Sequence, residues 1–540
     1  MKTQTRLLLW FAPVAFLLVF FFLPLSKILA LVLDSSALAD PNHLRVAWEA
    51  TRFTFYQAAF STLLTFALGL PSAVLFSRFD FRGKSFLSAL TAVPFMLPTV
   101  VVAAAFHALF GSQPSIFNLP PATLNFSLIL LAHVFYNATI VIRVVGNALS
   151  RLDPKLAQAA RSLGADSLRV WTHITLPLLR PSIFASALLV FLLDFTSFGV
   201  ILLLGGGNFS TLEVEIYLRV MKLPNLPLAA LLSVLQLIFT AVFSVFYSRA
   251  VRRASTQTAP RFALARKPKR AREKIFVFVN SALLAVFFLL PLIALPVRSF
   301  IRLDADRGQR GEVQYGFTTD YYTELFINRR GSLFYVPPIQ AAANSLGYAA
   351  LTAIFSLALG FPAASALARP TSGERILDPF IMLPLGSSAV MLGLGFILTF
   401  GRALASPVFV PIAHTLIALP FVIRALQPAI AAIPNRLREA AATLGASPFQ
   451  IWRKVDLPIL SRAILSAATF AFTVSLGEFG ATLLLTRPEY PTIPIAIQRF
   501  LSQPGGINYG QALAMATLLM LLTLASILLM EKFRASQSTI

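Results

Sequence analysis

Residues 439–458 read EAAATLGASPFQIWRKVDLP, and residues 158–177 read QAARSLGADSLRVWTHITLP. The register between the two copies is constant: Gln158 and Glu439, Gly164 and Gly445, and Pro177 and Pro458 all lie 281 positions apart. In each copy an alanine-rich stretch favours helix, and the glycine beyond it breaks the helix. A second short helix follows around Trp171 or Trp452. Pro177 and Pro458 then open a long apolar segment, at a helix position where a missing N–H costs little. The expected product is a compact helix–turn–helix knob, short and stiff, joined to a spanning segment on either side.

The duplication extends well beyond the knobs. LAHVFYNATIVIRVV (131–145) aligns with IAHTLIALPFVIRAL (412–426), placing His133 on His414 and Arg143 on Arg424. ALGLP (67–71) aligns with ALGFP (358–362), FMLP (95–98) with IMLP (381–384), and TSFGVILLL (196–204) with GEFGATLLL (477–485). The chain therefore divides into a first unit over 1–250, a basic linker over 251–274 and a second unit over 275–540.

Of the 540 residues 57% are hydrophobic and only 12% charged. A soluble domain carries about twice that charged fraction. Mean hydropathy is +0.76. Apolar runs of about 20 residues, each long enough to cross a bilayer as a helix, recur near 7–33, 50–76, 86–110, 124–145, 178–204 and 228–249. In the second unit they recur near 275–299, 340–367, 376–400, 407–427, 459–486 and 510–531. The expectation is an all-α integral membrane protein with about twelve transmembrane helices in two six-helix halves. The first run is read as a retained helix and not a cleaved signal peptide, because FFFLPL (20–25) returns as FFLLPL (287–292) in mid-chain.

The formal charge of +23 does not point to nucleic acid, because the basic residues cluster in short segments between apolar runs. Lys2 and Arg6; Arg78, Arg82 and Lys84; Arg143 through Arg169; and nine bases from Arg252 to Lys274 all fall on one side if each run crosses once. By the positive-inside rule that side is cytoplasmic, with both termini. An even number of crossings per half makes the repeat parallel. The 251–274 linker reads as a solvated tether, with lipid-headgroup contact as the alternative. The polar segment 303–338 is expected on the outside as a small cap or partner surface. There is no cysteine, and no clustered His or carboxylate spacing suggests a metal site.

The paired knobs resemble the coupling loops of binding-protein-dependent ABC importer permeases, whose pattern is E-A-A, three residues, G, nine residues, I-x-L-P. The second copy carries it as Glu439, Ala440, Ala441, Gly445, Leu457 and Pro458, with Val455 at the isoleucine position. The first carries Ala159, Ala160, Gly164, Ile174, Leu176 and Pro177, with Gln158 in place of the acid. The resemblance covers essentially the whole chain, as two fused permease units, and implies the type I ABC importer permease fold in a bacterial inner membrane. It implies two copies of a cytoplasmic ATPase docked on the knobs and an external solute-binding protein. No G-x-x-x-x-G-K-[ST] phosphate loop is present. This chain is thus expected to bind no cofactor, leaving ATP and Mg to the partner. GGGNFSTLEVEIY (205–217) resembles the thiamine branch of such permeases, and SLGEFG (475–480) also resembles the ferric-iron branch. An ion-driven secondary transporter and a non-transport scaffold are the alternatives outside the family.

Ionisable residues within spans are functional candidates. Asp194 lies mid-span, and Glu478 lies in the equivalent span at the counterpart of Ser197. Asp194 and Ser197 are spaced to share a helix face. The two acids are expected to approach across the pseudo-twofold axis and line a cavity, and they favour a cationic substrate or a network with an internal base. Alternatively, each is satisfied by a hydroxyl or backbone group. Asn137, His133 and His414 are weaker candidates for the same path.

Overall fold

The computed structural model describes residues 3–34, 36–110, 121–255, 265–302, 316–328, 335–368 and 370–535. In the first unit the helices are α1 (Leu9–Asp34), α2 (Pro41–Arg78), α3 (Lys84–Met96), α4 (Thr99–Phe110), α5 (Pro121–Ser150), α6 (Pro154–Ser162), α7 (Ser167–Phe195), α8 (Gly199–Leu204), α9 (Leu212–Met221) and α10 (Leu226–Ser255). The second unit repeats them. It holds α11 (Ala271–Ser299), a short α12 (Asp320–Glu324), α13 (Pro338–Leu367), α14 (Ser372–Gly386), α15 (Ala389–Phe400), α16 (Phe409–Ala431), α17 (Asn435–Thr443), α18 (Pro448–Gly477), α19 (Gly480–Leu485), α20 (Ile493–Leu501) and α21 (Gly506–Ala535). Among the described residues the extended pairings are two isolated bridges, Phe79 with Arg266 and Ile301 with Phe317.

Among the described residues ten helices are long and apolar enough to cross a membrane, and twelve spans result if each of two bent pairs counts as one. Those pairs lie on the expected spans over 86–110 and 376–400, each of which is bent in mid-course. α3 and α4 meet at 111° and the α14–α15 pair at 93°. In the first pair Pro98 forces Leu97 out of the helical region to ψ 145°. In the second, Ser387 is extended at ψ 145° and the Ser388 hydroxyl accepts the Met391 N–H to restart the helix. The expected runs 178–204 and 459–486 are broken too. α7 ends at Phe195 and α18 at Gly477, each followed by a short helix beginning at Gly199 or Gly480.

Each unit is built around a three-helix core, α2–α5–α7 in the first and α13–α16–α18 in the second. Glycine sets the closest approach in both. A β-carbon at Gly69 would sit 2.7 Å from Val141 Cβ, and one at Gly360 would sit 2.7 Å from Val422 Cγ1. Small residues at such crossings let helix backbones pack closely where lipid supplies no hydrophobic drive. Gly360→Ala is expected to cost about 1–3 kcal/mol of stability through overpacking, read as a lower melting midpoint of the purified protein.

The units exchange their first helices. α1 packs on α13 and α15 of the second unit, and α11 packs on α3 and α4 of the first. The buried core is consequently continuous across the two, running from Ile28 through Val100 and Phe198 to Phe479 and Leu513. The described part of the polar 303–338 segment, residues 316–328 and 335–338, places Tyr335 Oη 2.6 Å from the Leu325 carbonyl it donates to. Residues 303–315 and 329–334, the rest of the expected cap, lie outside the described residues.

Candidate functional site

The knobs take shape from their caps. Asp153 caps α6 by accepting the Lys155 N–H at 2.9 Å, with Pro154 at the first helical position. The helix stops where Gly164 adopts φ 85°, and its equivalent Gly445 adopts φ 81°, a region that glycine enters without steric cost. The Ala165 N–H closes on the Ala160 carbonyl at 3.0 Å, and Ala446 closes on Ala441 at 3.0 Å. Asp166 and Ser447 then cap the next turn by accepting the N–H of Arg169 and of Gln450. Each knob enters its spanning helix through one π-helical turn, Trp171–Thr175 or Trp452–Asp456. Such turns are rare and gather at functional sites.

Neither α6 nor α17 buries a single residue. Gln158, Ala159, Glu439 and Ala440 are exposed, and Ala160 and Ala441 are half-buried. Pro177 and Pro458 lie inside α7 and α18, where the α-helix resumes after the π turn. The tips carry exposed apolar side chains in matching places: Leu163 is 89% and Leu444 88% exposed, and Leu168 and Phe449 are exposed beside them. A large apolar group projecting from a polar knob toward water, repeated 281 residues later, is a surface shaped to be covered.

A second pair of features meets at the centre. The Phe198 and Phe479 rings stack with centroids 5.7 Å apart. A β-carbon at Gly199 would lie 3.2 Å from Phe479 Cδ1, and one at Gly480 would lie 3.4 Å from Phe198 Cδ1. The reciprocity of these contacts marks an approximate twofold axis, closed there by two aromatic rings. Tyr217 of α9 packs against Phe198 from behind.

Just before each ring lies a buried histidine set. In the first unit His133 Nδ1 is 2.9 Å from Ser61 Oγ and 3.7 Å from Asp194 Oδ1, and its Nε2 is 2.8 Å from Ser197 Oγ. Asn137 Nδ2 donates to Asp194 Oδ1 at 2.7 Å, and Gln57 Nε2 donates to the Asp194 carbonyl at 2.7 Å. In the second unit His414 Nδ1 is 2.7 Å from Ser475 Oγ, and its Nε2 is 2.7 Å from Thr482 Oγ1 and 3.1 Å from Glu478 Oε2. Ser475 stands at the position of Asp194, and Glu478 at that of Ser197. The acid has thus moved from one ring nitrogen to the other while the histidine stays fixed.

Asp194 and Glu478 are therefore each bonded inside their own unit, and the described bonds do not join them. Ser197 falls in the break after α7, beyond the helix face it was expected to share with Asp194. Glu478 also accepts the N–H of Ala481 and of Thr482, fastening the break after α18. Both sets pin a broken fifth span to the fourth, immediately ahead of Phe198 or Phe479. The Asp194→Asn variant is expected to lower uptake severalfold while the knobs still hold their partner; uptake and co-purification measured on the same preparation check this.

Sequence inspection missed several participants. Phe198 and Phe479 were visible as aligned residues, but nothing marked them as a touching pair. Glu213 of α9 is buried, accepts from Gln236 Nε2 at 3.1 Å and accepts from the Ser388 hydroxyl, bonding the two units at the α14–α15 break. The triple glycine at 205–207, by contrast, does mark its tight turn in the sequence: Gly206 and Gly207 take φ 59° and 77° on the way into α9. Among the described residues there is no group of three metal-ligating side chains.

The profile of the family described as binding-protein-dependent transport system inner membrane component matches residues 55–256 and again 356–537. The thiamine transport system permease protein of Brucella abortus (strain 2308) is 28% identical over 519 residues, covering 92% of this chain and 90% of its own. The same-named protein of Escherichia coli (strain K12) is 27% identical over 496 residues, covering 88% and 87%. A probable ABC transporter permease protein of Sinorhizobium fredii is 26% identical over 527 residues, covering 92% and 89%. With two matched units, broken fifth spans meeting at a common axis and a knob in each unit, the chain belongs to the binding-protein-dependent transport system inner membrane component family, as a fused pair of permease units of the type I importer fold.

Proposed function

We propose that this chain is the complete translocation pathway of an ATP-driven thiamine importer in a bacterial inner membrane. Its basic face and both termini are cytoplasmic. Two copies of a separate ATPase seat on the knobs, one at Leu163 and one at Leu444, and carry the ATP and Mg. A solute-binding protein delivers thiamine to the opposite face. The observation that carries this is the pair of matched apolar tips, Leu163 and Leu444, almost wholly exposed on knobs whose second helix continues into the spanning helix. A force on either tip crosses the tight turn at Gly164 or Gly445 and then reaches the break before Phe198 or Phe479 along α7 or α18.

The substrate is supported by the names of the relatives matched over most of the chain. It is supported also by the two rings on the axis: once parted, their faces attract a cationic heterocycle. ATP binding draws the two motors together, the knobs follow, and the units rock so that the rings separate on alternate sides. The test is reconstitution in liposomes with the co-encoded ATPase and binding protein. ATP-dependent accumulation of labelled thiamine is the expected result. Accumulation of ferric citrate but not thiamine overturns the substrate, and accumulation without nucleotide overturns the ATP drive.

A further inference from the structure

The end of the linker is docked, not free in solvent. The Arg266 N–H donates to the Arg78 carbonyl at 3.0 Å, and the Asp80 N–H donates to the Arg266 carbonyl at 2.9 Å. The Arg266 guanidinium lies 5.6 Å from the Phe79 ring centroid and forks onto both Glu273 oxygens, at 3.0 and 2.6 Å. Bidentate pairs of this kind fix direction as well as distance, and the carboxylate raises the Arg266 titration above its ordinary value. Glu273 sits in the first turn of α11, where it also accepts the Lys269 N–H at 2.9 Å. Phe79 packs on Phe276 of the same helix.

The other side of the α2–α3 turn meets the first knob. The Arg78 guanidinium lies 5.3 Å from the Trp171 ring centroid, a cation–π contact. Arg161, on α6 itself, stands within the same electrostatic neighbourhood. A continuous run of contacts therefore leads from Trp171 through Arg78 and Phe79 to Arg266 and Glu273. It starts in the first unit's knob and ends on the first helix of the second unit.

The second knob is held differently. Arg438 Nε donates to Asp456 Oδ1 at 2.8 Å, tying α17 to the π turn of its own spanning helix. The first unit has Ala157 and Thr175 at those two positions, so it cannot form that pair. Trp452 stacks on Phe449 of its own knob.

We propose that residues 266–273 form a strut that carries movement of the first knob directly to the second unit, so that the two knobs are unequal. The first takes its position from the opposite unit and the second from its own spanning helix. Arg266, Arg78 and Trp171 are then positioning residues for coupling. This rests on the motor docking proposed above, and the test separates the two.

The full transporter with ATPase and binding protein is reconstituted, and thiamine moved per ATP hydrolysed is measured for Arg266→Ala, Trp171→Leu, Arg438→Ala and their pairs. Arg266→Ala is expected to keep the ATPase bound while the ratio falls about fivefold, at the lower end of allosteric coupling. Adding Trp171→Leu to it is expected to cost little more, because both cut one chain of contacts. Adding Arg438→Ala is expected to multiply the loss, because that brace is independent. Arg266→Lys, which keeps the charge but not the fork, is expected to fall between. An unchanged ratio in Arg266→Ala, or losses from Arg266 and Trp171 that multiply in full, overturns the strut. If the unsubstituted chain fails to hold the ATPase, it is the docking that falls.

Discussion

Replacing Leu163 and Leu444 together by aspartate is expected to release the ATPase and abolish uptake while the permease itself stays folded. Both side chains are almost wholly exposed, at 89% and 88%, so the substitutions cost the isolated chain within about 0.5 kcal/mol. In the complex the balance is different. Burying a leucine side chain contributes about 1.5–3 kcal/mol, and an aspartate in its place adds the penalty of an unpaired charge in an apolar cleft. A loss of about 3 kcal/mol per knob weakens each contact more than a hundredfold. In the proposed assembly the two knobs act on one motor dimer, so losing both forfeits the avidity as well. Co-purification of the ATPase, a melting curve of the permease alone and uptake in liposomes give the three readings. Each single variant is expected to retain weakened ATPase on the other knob and to transport slowly. A double variant that still holds the motor at wild-type affinity rules out the tips as the docking surface.

How much of this was legible in the sequence follows from what repeats and what is local. The knobs were legible because their information is local: Asp153, Gly164, Asp166 and Pro177 each dictate one cap or one stop, and a second copy with Gly445, Ser447 and Pro458 dictates the same shape again. The division into units followed from the constant spacing. The bent pairs were not legible as bends. Apolar runs over 86–110 and 376–400 carry no polar gap, and hydropathy counts residues without direction. Pro98 was the available signal in the first pair, since the residue before a proline leaves the helical region; Ser387 and Ser388 gave a weaker one. The break after Phe195 had no such mark, because the bonds that hold it come from His133, Asn137 and Gln57, far away in the chain. Asp194 and Glu478 drew attention as buried acids. Their partners were hidden by the acid's exchange between positions 194 and 478, which only the shared histidine reveals. The exchange of first helices and the docking of Arg266 are long-range choices that no local pattern encodes.

Replacing both Phe198 and Phe479 by alanine is expected to open the pathway, giving a permease that leaks small solutes without ATP. The two rings are the groups that meet on the axis, 5.7 Å apart, and Gly199 and Gly480 leave no side chain of their own to take over the gap. Truncating a well-packed phenylalanine costs about 3–5 kcal/mol through lost burial and the cavity left behind. The share of that loss from ring on ring falls on the closed state alone, because rings that have parted no longer bury one another, whereas the packing of Phe198 on Tyr217 belongs to its own unit. A difference of about 5.5 kcal/mol between two states is enough to move an equilibrium from 1:99 to 99:1. The closed state is therefore not expected to survive as the dominant one. Efflux of preloaded thiamine from liposomes lacking nucleotide is expected to rise by at least tenfold, with ATP hydrolysis no longer dependent on loaded binding protein. Leucine at both positions restores bulk without the flat face and is expected to seal the path while slowing uptake. That pair of outcomes separates a plug from a packing defect: general misfolding would impair the leucine variant as well, whereas an axial barrier is rescued by volume. Liposomes carrying the double alanine protein that retain thiamine as well as the parent would place the barrier away from these two rings.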